Sequence, residues 1–114
     1  HIKNCVVYTG THDNDTIVGW ADSITKDELK FASEYMCVKN DESINWAMIR
    51  TALSSVADTV IIPMADLLGL SSEGRINTPS VAENNWQWRI GKGCVNDWLA
   101  GILKEKTKLY KRCK

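Results

Sequence analysis

Thr11-His12-Asp13-Asn14-Asp15 sets an imidazole beside a carboxylate, with a second carboxylate two residues on. At the end of a strand such a pair can hold sugar hydroxyls or stabilise a developing positive charge. A metal would ask for more, because His12, Asp13 and Asp15 lack a further well-spaced set of ligands. From the pair alone another reading stays open: a polar turn in which Asp13 caps a helix and His12 is merely solvated. The five tryptophans could stack on sugars. Trp46 and Trp98, however, fall on helical core spacing; Trp86 and Trp88 alternate around Gln87 in an extended piece, so one of them could face solvent, with core packing the favoured reading.

These residues need elements to carry them. Cys5-Val6-Val7, a short β-branched run ending in polar residues, reads as a buried strand over 4–8 that delivers His12 and Asp13 to its rim. Thr25-Lys26-Asp27-Glu28 is a capping box, opening a helix over about 26–38 with Leu29, Ala32, Tyr35 and Met36 on one face and Phe31 and Val38 widening it. A second helix spans about 43–56, with Trp46, Ile49, Leu53 and Val56 on its apolar stripe. Residues 59–63 form an apolar, β-branched run, too short for a helix and suited to an interior parallel strand that Pro63 ends. One or two helical turns follow, closed by Gly69, with Asp66 a structural acid in the first. Residues 71–85 carry no periodicity and form a long loop. Val95, Trp98, Leu99, Ile102, Leu103, Leu109 and Tyr110 then mark a helix over 95–111, started near Asn96, with basic residues including Arg112 complementing its end.

Four strings in this order resemble one family. They are Tyr8-Thr9-Gly10-Thr11-His12-Asp13-Asn14-Asp15-Thr16, Ala57-Asp58-Thr59-Val60-Ile61-Ile62-Pro63-Met64, Gly74-Arg75-Ile76-Asn77-Thr78-Pro79 and Asn85-Trp86-Gln87-Trp88-Arg89. Together they look like the C-terminal part of a 4-α-glucanotransferase of the amylomaltase (disproportionating enzyme) family, in the α-amylase clan. The resemblance implies an α/β fold: the last two strands, with their helices, of a (β/α)₈ TIM barrel, helix-rich as an isolated chain. It implies transfer of α-1,4-glucan segments between maltooligosaccharides by retaining double displacement, without a cofactor. Asp13 matches the family's transition-state-stabilising Asp, His12 the neighbouring His on the same sugar, and Asn77 an Asn that touches bound oligosaccharide. A turn residue ahead of Thr78-Pro79 is the structural alternative for Asn77. Arg75 and Glu73 are expected to brace their loop as an ion pair. The nucleophilic Asp and the acid/base Glu belong to earlier strands, so this segment alone is expected to be inactive. A non-catalytic glucan-binding or helical interaction domain built on the same tail is the rival reading. The sequence departs from the family at Ala65, where Gln is usual, at Ala21, where a second aromatic is common, and at Gly74 and Asn84, where Ala and Gly are usual.

Length and composition agree with a piece. A chain of 114 residues falls short of the roughly 250 that such a barrel needs, and it starts at His1 without an initiator Met. Lys and Arg together number 14 against 14 acids, which offers no basic face to nucleic acid or to an anionic membrane. No apolar run approaches the length of a membrane span, and no signal peptide is evident. Four isolated cysteines and only two histidines argue against a zinc site and fit free thiols in a reducing compartment, the cytoplasm, or a plastid in a plant. Two strands cannot close a barrel, so the isolated chain is expected either to rearrange into a helical body or to self-associate.

Overall fold

The structure, a computed structural model, describes residues 2–113. Two strands, β1 (Val6–Tyr8) and β2 (Thr59–Ile61), pair in parallel with Val6 opposite Thr59 and Tyr8 opposite Ile61. Both are shorter than the runs 4–8 and 59–63 expected of them. A ladder of only two strands pairs where the neighbouring carbonyls and amides stay in register, and among the described residues no third strand extends it. Alternation does the rest: Val7 and Val60 are half-buried towards the helices, whereas Val6, Tyr8, Thr59 and Ile61 share an exposed face.

Three helices make the crossover from β1 to β2. The first, α1 (Ile17–Ser23), is not expected from the sequence. Seven residues give too little length for a periodic signal. Its start is nonetheless a regular N-cap, with the Thr16 hydroxyl accepting from the Gly19 N–H at 3.0 Å. Next comes α2 (Lys26–Tyr35), where Thr25 and Glu28 form the reciprocal capping box. It ends before residue 38, because Cys37 adopts a left-handed φ of 51°. Phe31 and Tyr35, expected on a covered face, are exposed; only Met36, just past the helix, is buried.

The core is built on α3 (Ile44–Leu53), which packs against α1, against the short α4 (Met64–Leu67) and against the last helix α5 (Asp97–Leu109). Ile49, Leu53, Leu67 and Leu99 form its centre, with Trp46, Val60, Ile62, Leu68, Leu103 and Tyr110 packed around them. α3 stops short of residue 56, and Val56 is exposed. The free carbonyls beyond its end are taken by a residue from the far terminus: Arg112 donates to the carbonyls of Leu53 (2.8 Å), Ser55 (3.0 Å) and Ala57 (2.9 Å). Arg112 therefore complements the end of α3, not the end of its own helix as the sequence suggests. Asn96 caps α5 through the Leu99 N–H at 3.0 Å. Three members of the expected apolar stripe lie outside the core: Val95 precedes the helix and is exposed, and Trp98 and Leu109 are each 70% exposed.

Past β2, Gly69 closes α4 with a φ of 67°, and its missing Cβ leaves room for the buried Asn45 amide, 3.2 Å from where that carbon would sit. A short 3₁₀ turn, Ser72–Gly74, interrupts the expected loop over 71–85. It lies against α1 at Gly19, where a Cβ would come within 2.6 Å of the Asp15 carboxylate and the Ser72 hydroxyl. All four cysteines are free. Among the described residues no helix is long and apolar enough to cross a membrane.

Candidate functional site

The chain leaves β1 through a polar turn that presents two side chains. Asn14 ties the turn to itself: its Oδ1 accepts from the Thr11 N–H (2.8 Å) and from the Thr11 hydroxyl (3.0 Å). His12 and Asp13 ride on top, with His12 Nε2 3.4 Å from Asp13 Oδ2 and both side chains about half exposed. Asp15 points the other way, accepting from the Ser72 hydroxyl at 2.8 Å and from the Thr16 N–H at 2.8 Å. It is a brace between α1 and the 3₁₀ turn.

The loop after β2 reaches over to meet this turn. Asn77 Nδ2 donates to Asp13 Oδ1 at 2.6 Å. Arg75 straddles the two loops, giving Nη2 to the Asp13 carbonyl (2.8 Å) and Nε to the Asn77 carbonyl (2.9 Å). The expected Arg75–Glu73 ion pair does not form, since Glu73 instead accepts from the Ser71 N–H at 3.2 Å. A planar guanidinium with donors on two edges suits two carbonyls from different loops, and it fixes where the Asp13 backbone sits. Asp13, His12 and Asn77 thus converge on one surface at the carboxyl ends of the strands, although 64 residues separate Asn77 from Asp13.

Below the turn lies Asp66, 2% exposed. Its carboxylate accepts from the Thr9 hydroxyl (2.9 Å) and from the Ile17 N–H (2.8 Å), and its carbonyl accepts from Asn45 Nδ2 (2.8 Å). Asp66 is structural, as its position suggests, but it serves the start of α1 rather than its own helix. A cavity of about 110 Å³ opens between it and His12, bounded by Ala65, Gly74 and Trp88. Ala65 and Gly74 meet here: a Cβ on Gly74 would sit 3.0 Å from the Ala65 Cβ.

Trp86 is the residue beside the candidate site that sequence reasoning misplaces. Read as a core residue, it is 63% exposed, with its ring centroid 5.0 Å from that of His12 and the planes tilted by 39°. Its φ of 60° is left-handed, which costs a bulky side chain about 1–2 kcal/mol. The nearby Asn84 has the same sign, also at 60°, a conformation that Asn tolerates better than most residues other than Gly. The Trp-x-Trp alternation is the available signal, since it puts one indole on each side of the segment.

Two parallel strands joined by helices, with a polar cluster at their carboxyl ends, define an α/β protein whose site sits at the strand termini. Comparison with known proteins makes this specific. The family model of 4-alpha-glucanotransferase, glycosyl hydrolase family 77, matches residues 1–94, and the chain belongs to that family. It is 50% identical over 110 residues to the 4-alpha-glucanotransferase of Synechocystis sp., covering 96% of this chain and 22% of that protein. The chloroplastic/amyloplastic 4-alpha-glucanotransferase of Arabidopsis thaliana is also 50% identical, over 115 aligned positions that cover 98% of this chain and 20% of that protein. Among solved structures, amylomaltase from Streptococcus agalactiae in complex with acarbose superposes with a TM-score of 0.95 at 35% identity, over 100% of this chain and 23% of that one. The chain therefore spans about a fifth of the length of the relatives it matches. Of the two outcomes expected for the isolated chain, rearrangement or self-association, the superposition bears on the first alone: the chain has the arrangement that the matching part of the larger amylomaltase chain has.

Proposed function

We propose that this chain is the part of a 4-α-glucanotransferase that carries the last two strands of a (β/α)₈ barrel and one of the acidic residues of retaining glucan transfer. The observation that carries the reading is the convergence of Asp13, His12 and Asn77 on one surface beyond the carboxyl end of β1. Retaining transfer passes through a sugar ring with oxocarbenium character, and a carboxylate that bonds the ring hydroxyls holds that species better than the ground state. Asp13 suits this work because its carboxylate is anchored on one oxygen by Asn77 and flanked on the other by His12, yet stays half open to a ligand. Arg75 keeps the loop from drifting, which matters because an ångström of misplacement costs orders of magnitude in rate. His12 and Asn77 would bond neighbouring hydroxyls of the same glucan. The nucleophile and the acid/base come from polypeptide outside this segment, so the 114-residue chain is inactive alone.

The open sheet face supports the barrel reading, since Val6, Tyr8 and Ile61 lie where further strands and interior side chains would cover them. The radius of gyration agrees: 14.7 Å exceeds the roughly 13 Å of a self-contained domain of this length. Four free thiols fit a reducing compartment, the cytoplasm in bacteria or the plastid in plants. The test is disproportionation of maltotriose. The purified chain gives no detectable products, and in the full-length enzyme Asp13→Asn lowers turnover by several orders of magnitude with the fold intact. An Asp13→Asn enzyme that retains its turnover removes Asp13 from the mechanism.

A further inference from the structure

Trp86 takes a left-handed backbone conformation that holds its indole in solvent, and nothing in the core requires it there. Strain of that kind persists where the surroundings enforce it, and they do: the Trp86 N–H donates to the Ile76 carbonyl at 2.6 Å, one residue before Asn77. Ring and carboxylate cluster therefore ride on one frame. Asn85 commits its amide to holding the loop, with Oδ1 accepting from the Thr78 N–H (2.9 Å) and Nδ2 donating to the Val81 carbonyl (2.6 Å). Beside the indole runs an open groove of about 630 Å³, edged by the exposed side chains of Glu83, Asn84 and Gln87.

A flat apolar ring flanked by amides, each able to donate and accept, matches a pyranose, which offers a C–H face and a rim of hydroxyls. No Lys, Arg or His lines the groove, and Glu83 stands at its edge, so an anionic ligand is disfavoured. We propose that Trp86, with Asn84 and Gln87, forms a glucose-ring subsite next to the Asp13 cluster. A glucan held there stacks one residue on the indole and continues past His12, whose ring already abuts Trp86. This rests on reading Asp13, His12 and Asn77 as a glucan site, and it adds a platform that those three residues do not provide.

The experiment is a titration of the isotope-labelled chain with maltoheptaose and maltose, followed by NMR. The Trp86 indole N–H shifts on addition of maltoheptaose. Trp86→Ala weakens maltoheptaose binding roughly tenfold, whereas Trp86→Phe, which keeps a ring, weakens it less than about threefold. Trp98→Ala, which removes an equally exposed indole on α5, leaves affinity unchanged. An indole resonance that stays still while the Asn77 side-chain amide moves overturns the subsite and leaves the Asp13 cluster standing. So does Trp86→Ala binding like the wild type where Asn77→Ala does not. The wild-type reading of the indole resonance decides the matter even if Trp86→Ala loses the native spectrum. No shift anywhere at millimolar maltoheptaose overturns the subsite and the glucan reading of the cluster together.

Discussion

Asp66 is a buried carboxylate that ties together the elements beneath the candidate site. It receives the Thr9 hydroxyl from the end of β1 and the Ile17 N–H from the start of α1, across 57 and 49 residues of sequence. Removing it strips the buried Ile17 N–H and the part-buried Thr9 hydroxyl of their acceptor, so the cost is the desolvation of unpaired groups as well as the lost bonds. Asp66→Ala is expected to lower the free energy of unfolding by about 3 kcal/mol in urea denaturation. A loss under about 1 kcal/mol would mean that solvent or neighbouring groups satisfy Thr9 and Ile17 instead. Ala65, next along the chain, raises a separate point. Its methyl side chain borders the small cavity beside His12, and Gly74 across from it has no space for a Cβ, which would sit 3.0 Å from the Cβ atoms of Ala65 and Leu70.

The elements are held at their ends more than along their faces. Ser43 makes no side-chain cap on α3; the turn before the helix is instead secured by Glu42, whose two oxygens both accept from Arg50 at 2.9 Å. The same guanidinium donates to the Met36 carbonyl at 2.6 Å, so one residue fastens the end of α2 to α3. The hydrogen bond from Arg50, opposed by burial, holds the Glu42 carboxyl below its ordinary value of 4.5, and the same contact raises Arg50. The sign follows from linkage. Because the folded state binds the Glu42 proton less readily than the unfolded chain, this contribution is complete above the unfolded value and drains away as pH falls through the lowered one. Thermal melts taken from about pH 6 down to about pH 3 should therefore show stability falling below about pH 4.5. Glu42→Gln should be less stable at neutral pH and lose part of that slope; an unchanged slope would assign the acid sensitivity to other carboxylates. In α5, Gly101 faces open space, and a methyl group placed there would meet nothing within 4 Å. Gly101→Ala should raise unfolding free energy by roughly 0.5–1 kcal/mol, read as a melting temperature a few degrees higher.

Taken whole, the molecule has a covered side and an open one. Its helices share the core around α3, while the outer face of the sheet presents Val6, Tyr8 and Ile61, and α2 presents Phe31 and Tyr35. Exposed apolar area on that scale, together with strand edges left without partners among the described residues, drives association. The isolated chain is expected to sediment faster as its concentration rises, and Val6→Lys with Ile61→Lys to return it towards the monomer. A monodisperse monomer for the unsubstituted chain at high concentration would show that the open face tolerates water.

The order of strands and helices is legible because local physics writes it: β-branched runs at Val6 and Val60, the Thr25–Glu28 box, the periodic stripe through Leu99 and Leu103. The polar turn at His12-Asp13 is equally plain, and the family strings around it mark it as a candidate site. Helix ends and α1 are not, because stops at Cys37 and past Leu53 depend on backbone geometry and on Arg112 arriving from the other end of the chain. Sequence supplied the residue types and their local conformations. Only the fold decided that Asn77 would grip Asp13, that Arg75 would bind carbonyls rather than Glu73, and that Trp86 would face His12 in solvent. Those contacts join loops more than sixty residues apart, and no spacing along a chain encodes which groups will meet once the strands lie side by side.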